Sequence, residues 1–316
     1  MNGLELSRGY FEDFGKPMLE AEFADILPFL AVGFVGSGSE HYGFDDEVSR
    51  DHDFEPGFCI FLPGEEVVDR RRAFQLERAY AKLPKEYAGV CRQRMSPVGG
   101  NRNGVLRTEE FYTRAVGTAN GELTTEQWLR LPDYALAEAV NGEIFFDNYG
   151  EFSKIRETIK EMPTDIKRKR LAGNLLVMAQ SGQYNFVRCI QHGEPEAAQL
   201  ACVEFVNAAM KAAFLLRDRY MPYYKWSFRA LRGLDGAEEL AENLSFLLFG
   251  DNRDTAVAEQ KYAMIENIAA ETIAALQEKN LTEATCGDLE KHAYAVNDKI
   301  ADGTVRNMSI LIAVGE

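Results

Sequence analysis

The chain has 316 residues, of which 46% are hydrophobic and 27% charged, the composition of a globular protein large enough for two domains. Its formal net charge of −15 argues against a nucleic acid as the main substrate, because phosphate backbones bind basic surfaces. The same charge is compatible with a cationic small substrate, although solubility alone also explains it.

The cysteines and the N-terminal segment bear on localisation. The five cysteines are widely spaced and form no Cys-x-x-Cys pair, which is typical of reduced cytosolic thiols. Residues 1–15 are acidic and contain no apolar signal core, and we expect no apolar stretch of membrane-spanning length. A cytoplasmic protein with no membrane partner is therefore expected.

Helical and strand patterns alternate over the first half of the chain. Residues 4–27 have the spacing of amphipathic helices, broken near Gly15 and Pro17 and ended by Pro28. The apolar runs 29–35 and 58–62 predict buried strands. Helical patterns then follow at 65–83 and 126–140, with short strands predicted near 105–106 and at 142–147.

Four small residues, Gly36, Ser37, Gly38 and Ser39, follow the first predicted strand and are called the Gly-Ser turn below. Glycine lets backbone N–H groups approach a phosphate closely because no Cβ lies in the way. Successive N–H groups at such a turn form an anion-binding nest, and the serine hydroxyls add donors. The turn therefore predicts a phosphate site.

Two carboxylates precede the second predicted strand. Asp51 and Asp53 are two residues apart, so on a strand their side chains share one face. Carboxylate oxygens suit Mg²⁺ or Mn²⁺, whose coordination is often completed by substrate phosphates. Glu55 would continue this face, but Pro56 and Gly57 predict a bend in the chain.

This arrangement resembles the nucleotidyltransferase superfamily, which includes DNA polymerase beta and the aminoglycoside nucleotidyltransferases. A bacterial branch of that superfamily is similar over about residues 30–230. The matching motifs are Gly-Ser-Gly-Ser-Glu at 36–40, Gly-x-Asp-Asp at 43–46, Ser-Arg-Asp-His-Asp at 49–53 and Pro-Tyr-x-Lys-Trp at 222–226. Both Gly36-Ser37 and Gly38-Ser39 match the Gly-Ser element of the superfamily.

The resemblance implies transfer of a nucleoside monophosphate from a nucleoside triphosphate to a hydroxyl group of a small molecule or protein, with release of pyrophosphate. It implies that Asp51 and Asp53 hold Mg²⁺ or Mn²⁺ and that the Gly-Ser turn holds the phosphates. The superfamily usually has a third carboxylate on a later strand, where this chain has Arg107. The third acid and the general base remain open among four carboxylates, namely Glu109, Glu110, Glu143 and Asp147.

From about residue 151 the pattern is helical, with stripes over 164–181, 196–219, 255–279 and 287–300. The predicted class is α+β, with a nucleotidyltransferase-like mixed-sheet domain at 1–155 and a helical substrate-binding bundle at 156–316. Residues 217–232 mix aromatic and basic side chains, which can stack a base or bind a triphosphate. They can equally connect two helices. The resemblance favours the first interpretation and implies that Lys225 contacts phosphate.

The sequence leaves a second function open. The same fold can serve as a nucleotide-binding or antitoxin-like module that lacks transfer activity. The open assignment of the third acid favours this alternative, and the intact pair of Asp51 and Asp53 opposes it. Other chemistries find no support. The chain has no Walker lysine motif, no zinc-protease His-Glu-x-x-His and no Gly-x-Ser-x-Gly of hydrolases.

Overall fold

A computed structural model describes residues 1–47, 54–92 and 102–314 of the chain. They form two compact units, one made of residues 1–123 and 135–161, the other of residues 124–134 and 162–316. The chain therefore passes from one unit to the other at three places. The α+β class predicted from the sequence is confirmed. The predicted boundary at residues 155 and 156 lies within the last segment of the first unit.

The strands are β1 (Ala31–Phe34), β2 (Cys59–Leu62), β3 (Glu86–Tyr87), β4 (Val90–Cys91), β5 (Gly104–Arg107) and β6 (Glu143–Asp147). The helices are α1 (Gly3–Tyr10), α2 (Lys16–Glu22), α3 (Arg70–Ala81), α4 (Thr108–Val116), α5 (Thr125–Arg130), α6 (Asp133–Val140), α7 (Glu151–Lys160), α8 (Thr164–Met178), α9 (Val187–Gln191), α10 (Pro195–Leu215), α11 (Tyr224–Arg232), α12 (Glu238–Phe249), α13 (Thr255–Glu278), α14 (Leu289–Asp298) and α15 (Gly303–Asn307).

Four of the described strands form one mixed sheet in the order β5-β2-β1-β6. Strand β1 runs antiparallel to β2 and to β6, whereas β2 runs parallel to β5. All four residues of β1 and of β2 are buried, as their continuous apolar runs predict. A register shift beside Val32 marks a bulge in the β1–β6 pairing.

Apolar side chains cover both faces of this sheet. On one face, Val32, Ile60 and Leu62 pack with residues of α1, α2 and α3 in a single buried cluster. On the other face, the ring of Phe61 stacks on Phe152 of α7, with a centroid distance of 4.1 Å. The sheet is therefore the centre of the first unit, and its ends are where polar side chains collect.

The N-terminal helices differ from the sequence prediction in two respects. Helix α2 ends at Glu22, and Pro28 lies in a separate short 3₁₀ helix, Leu27–Phe29. The expected break near Gly15 is absent, because α1 continues through a π-helical turn, Phe11–Gly15, directly into α2. A Cβ on Gly15 would lie 2.4 Å from the ring of Phe58, so this glycine permits close packing on the sheet. Pro17 lies in the first turn of α2, where a missing N–H does not weaken the helix.

The second unit is helical. Its core includes buried residues of α8, α10, α12, α13 and α14. Helix α10 is long and apolar enough to cross a membrane by length and composition, and 61% of its most apolar window is buried. The expectation that no stretch reaches that length was therefore wrong for α10. Its buried positions belong to the core of the bundle.

One buried arginine ties residues 124–134 to this bundle. Arg170 of α8 forms an ion pair with Asp133, with 2.6 Å between Nη1 and Oδ1, and donates to the carbonyls of Trp128 and Leu131. A charged group that is almost fully buried is tolerated when its donors are paired in this way.

Candidate active site

The sheet brings the Gly-Ser turn and three other segments to one end, called the site end below. Strand β1 finishes there at Phe34, which pairs with Glu143 at the start of β6. Strand β2 begins there, since Gly33 pairs with Cys59, and Cys59 pairs in turn with Gly104 at the start of β5. The turn therefore lies close to the segments that lead into β2, β5 and β6.

The two glycines of the Gly-Ser turn have backbone angles that L side chains rarely adopt. Gly36 has φ of +126° and Gly38 has φ of +130°. A short 3₁₀ helix, Ser39–Tyr42, follows and ends at Gly43. Ser37 is exposed, whereas Ser39 is buried. The turn is thus a specific backbone shape rather than an extension of the strand.

Asn141, which lies just before β6, binds the turn through both ends of its amide. Its Oδ1 accepts the N–H of Gly36 at 2.9 Å, and its Nδ2 donates to the carbonyl of Gly36 at 2.7 Å. The N–H of Gly36 is therefore used inside the protein. Backbone donors for a bound phosphate would come from Ser37, Gly38 and Ser39.

Glu40 places a carboxylate against the turn, a feature that the sequence analysis did not select. A Cβ on Gly38 would lie 2.2 Å from Glu40 Oε1, so only glycine leaves room for this side chain. Ser39 Oγ donates to Glu40 Oε2 at 3.4 Å, and Arg102 Nη1 lies 3.8 Å from Glu40 Oε1. The phosphate site predicted from the sequence thus borders on the carboxylate of Glu40 and the guanidinium group of Arg102.

His41 is buried beneath the turn and stacks on Phe34 with a centroid distance of 4.1 Å. Burial, helped by the positive charge of Arg102, lowers the pKa of the imidazole to about 3. The ring is therefore neutral, and its 3.5 Å contact with Glu40 Oε1 is not an ion pair at neutral pH. Neither ring nitrogen has a hydrogen-bond partner within the described ranges.

Glu138 is a second carboxylate near the turn that the sequence analysis did not select. It lies on α6, is partly buried, and is influenced by Arg102. The phenol of Tyr42, from the 3₁₀ helix of the turn, lies within electrostatic reach of Glu138. Glu138 precedes Asn141 by three residues, a spacing that could have suggested its position once Asn141 was known to bind the turn.

Four carboxylates were candidates for the third acid or the general base. Two of them form hydrogen bonds within the first unit, and the other two follow the opposite end of the sheet. Glu143 pairs with Arg8, with 3.1 Å between Oε2 and Nε. Asp147 accepts the N–H groups of Gly150 and Ser153, each at 2.7 Å, at the start of α7.

Glu109 and Glu110 follow Arg107, which pairs with Leu62 at the end of the sheet opposite the Gly-Ser turn. Both are exposed in the first turn of α4. The side chain of Arg107 is engaged in a structural hydrogen bond, since its Nη1 donates to the carbonyl of Pro63 at 2.5 Å. Strand β5 therefore carries no acid at the position where the superfamily usually has one.

Asp51 and Asp53 lie outside the described residues, as do Arg50 and His52, so their shared face remains a prediction. Among residues 1–47, 54–92 and 102–314, no three His, Cys, Asp or Glu side chains form a group that could hold a metal. A metal site at the site end would therefore depend on Asp51 and Asp53, whose oxygen donors fit Mg²⁺ or Mn²⁺.

Lys225 lies in the second unit, exposed in the first turn of α11. The preceding residues form an exposed aromatic group. The rings of Tyr223 and Tyr224 have centroids 4.5 Å apart, and Tyr134 meets Tyr223 edge-on at 5.5 Å. The aromatic and basic segment, together with Tyr134, therefore presents three tyrosine rings and a lysine on the surface of the helical unit.

The comparison with known families gives one match. A family model described as Domain of unknown function (DUF4037) matches residues 128–227. No curated protein matches the chain. The matched third of the chain includes Glu138, Asn141, Arg170 and Lys225, so it contains residues of both units but not the Gly-Ser turn.

Proposed function

We propose that the protein transfers a nucleoside monophosphate from a nucleoside triphosphate to a hydroxyl of a small molecule or protein, releasing pyrophosphate. The observation that carries the proposal is the shared end of the sheet. The Gly-Ser turn leaves β1 at the same end at which residues 54–58, directly after Asp53, enter β2. A phosphate site and a carboxylate pair are thereby expected close together, as in-line phosphoryl chemistry requires.

Each part of the site has a distinct role in this proposal. The backbone and hydroxyl groups of Ser37, Gly38 and Ser39 bind the β- and γ-phosphates, while Gly36 fixes the turn through Asn141. Asp51 and Asp53 would hold Mg²⁺ or Mn²⁺, which would neutralise developing charge and align the attacking hydroxyl. The resemblance implies a further contact from Lys225 to the triphosphate.

A second candidate is a non-catalytic nucleotide-binding or antitoxin-like module. It is favoured by Arg107, which stands on β5 in place of the usual acid and is bonded to Pro63. Such a module would bind nucleotide at the Gly-Ser turn and leave the triphosphate intact.

A pyrophosphate-release screen tests the proposal. The protein is incubated with ATP, GTP, CTP or UTP, with Mg²⁺ or Mn²⁺, and with a panel of hydroxylated acceptors. The matched variants are Asp53→Asn, nearly isosteric but lacking one charge, and Glu77→Gln, an exposed glutamate on α3. We expect metal-dependent release by the parent and Glu77→Gln, and a loss of about 100-fold or more in Asp53→Asn.

Two results would count against transfer. Nucleotide binding without pyrophosphate release under every condition would select the non-catalytic module. Unchanged release by Asp53→Asn at an equal melting temperature would remove the carboxylate pair from the mechanism.

A further inference from the structure

The transfer reaction needs a group that takes the proton of the acceptor hydroxyl. A suitable group is a carboxylate that lies at the site end of the sheet and is not consumed by structural bonds. Glu143 and Asp147 are bonded to Arg8 and to the first turn of α7. Glu109 and Glu110 follow the opposite end of β5. Glu40 contacts Ser39 and Arg102.

Glu138 differs from all of these carboxylates. It is partly buried, yet it makes no hydrogen bond or close ion pair with any residue that the structure describes. A partly buried carboxylate without such a partner is costly for stability and is more typical of a functional group than of a structural one.

Three neighbours place Glu138 beside the Gly-Ser turn. Helix α6 ends at Val140 and Asn141 follows it directly, three residues after Glu138. Asn141 binds Gly36 directly. Arg102, which lies 3.8 Å from Glu40, also interacts electrostatically with Glu138. Tyr42, at the end of the 3₁₀ helix that follows the turn, interacts electrostatically with Glu138 as well.

We infer that Glu138 is the general base of the transfer proposed above, accepting the proton of the acceptor hydroxyl. The inference rests on that proposed function. As the hydroxyl oxygen forms its bond to the α-phosphorus, its proton passes to a carboxylate oxygen of Glu138. The bond between the α-phosphorus and the bridging oxygen breaks, and pyrophosphate leaves with that electron pair. Glu138 later releases the proton to solvent.

The electrostatic surroundings agree with this role. Burial raises the pKa of the Glu138 carboxyl above its usual value, and the positive charge of Arg102 opposes that rise only in part. Tyr42, with which it interacts electrostatically, is a neutral phenol because burial raises the pKa of Tyr42. Glu138 is thus a stronger base than an exposed glutamate.

The test compares Glu138→Gln and Glu138→Asp with Glu77→Gln, in the full chain. Two quantities are measured, the dissociation constant of ATP and the rate of pyrophosphate release as a function of pH. We expect Glu138→Gln to bind ATP within about twofold of the parent but to release pyrophosphate about 10²–10⁴-fold more slowly. Its profile should also lose the acidic limb, whereas Glu138→Asp keeps that limb at a reduced rate.

The outcomes separate this inference from the function on which it rests. Parent-like rates in Glu138→Gln would overturn the base assignment and leave the transferase in place. Parallel loss of ATP binding and rate would make Glu138 a binding or structural residue, which also overturns it. Absence of pyrophosphate release by the parent protein would overturn both the proposed transfer reaction and the assignment of Glu138 as its general base.

Discussion

Asn141 and Gly36 are 105 residues apart in the chain, yet the side-chain amide of Asn141 pairs with both the N–H and the carbonyl of Gly36. This pairing lies two residues beyond Phe34–Glu143, the last pair of β1 and β6, where Gly36 turns away from the sheet. The position of the Gly-Ser turn therefore depends on a residue at the end of α6.

Asn141→Ala should destabilise the protein by about 2–4 kcal/mol, because it leaves a donor and an acceptor of Gly36 without their partner. Urea unfolding measures the change. The control is Asn148→Ala, which removes one exposed hydrogen bond to the carbonyl of Leu27 and should cost about 1 kcal/mol or less. Equal losses in the two variants would show that Asn141 has no special role.

Gly142 and Gly150 form a matched pair for testing the approach of β6 to β1. Both have positive φ, +65° and +81°, but a Cβ on Gly142 would lie 2.0 Å from the carbonyl oxygen of Phe34, whereas Gly150 has open space. Gly150→Ala should cost about 1 kcal/mol for backbone strain alone. Gly142→Ala should cost about 4 kcal/mol or more, or prevent folding. Similar unfolding midpoints would contradict this close approach.

His41 predicts a specific pH dependence of stability. Its pKa is about 3 in the folded protein and about 6.5 in the unfolded chain, so the unfolded state binds the extra proton between these values. The contribution of neutral His41 to the free energy of unfolding is therefore fully present above pH 6.5. It falls by up to about 1.4 kcal/mol per pH unit as the pH decreases below 6.5.

The comparison of His41→Phe with the parent isolates this effect, since phenylalanine retains an aromatic ring against Phe34. The free energy of unfolding is measured in urea at pH 5, 6 and 7. The parent should lose about 2 kcal/mol more than the variant between pH 7 and pH 5. Identical slopes would mean that His41 is protonated in the folded protein.

Arg170 and Arg130 allow a buried and an exposed ion pair of the helical unit to be compared. Arg170→Ala should cost about 3–5 kcal/mol, because Asp133 and two backbone carbonyls lose their buried donor. The Arg130–Glu126 pair is 72% exposed on both sides, so Arg130→Ala should cost about 1 kcal/mol or less. Thermal unfolding distinguishes them, and a small loss in Arg170→Ala would show that residues 124–134 are held by other contacts.

Lys225 can be tested through the part of the nucleotide that it binds. If its ammonium contacts the triphosphate, Lys225→Ala should weaken ATP binding about tenfold while leaving adenosine binding unchanged. Lys291→Ala removes an exposed lysine elsewhere in the helical unit and serves as the control. Calorimetric titration of both ligands measures the difference. Equal ATP affinities of the parent and Lys225→Ala would return residues 217–232 to the role of a connector between helices.

Local features of the fold could be predicted from the sequence. Continuous apolar runs correctly predicted the buried strands β1 and β2. The two glycines of the Gly-Ser turn do adopt the unusual angles that their composition suggests. These features follow from side-chain periodicity and backbone sterics, which act within a few residues.

The rest depends on contacts between distant segments, which leave no periodic pattern. Nothing near Asn141 indicates that it binds Gly36, and nothing near Glu138 indicates that α6 lies beside the turn. The composition around Gly15 predicts a helix break, whereas this glycine lies inside a continuous helical segment and admits the ring of Phe58.

The chain alternates between its two units, and this order limits where the protein can be truncated and which segments recombination can exchange. Residues 124–134 belong to the helical unit but are encoded between two segments of the sheet unit. A fragment that stops at residue 161 would carry Trp128 and Leu129 without α8, against which α5 packs. Gene fusion or shuffling at a single breakpoint therefore cannot exchange one unit for another, and the two are expected to evolve as one piece.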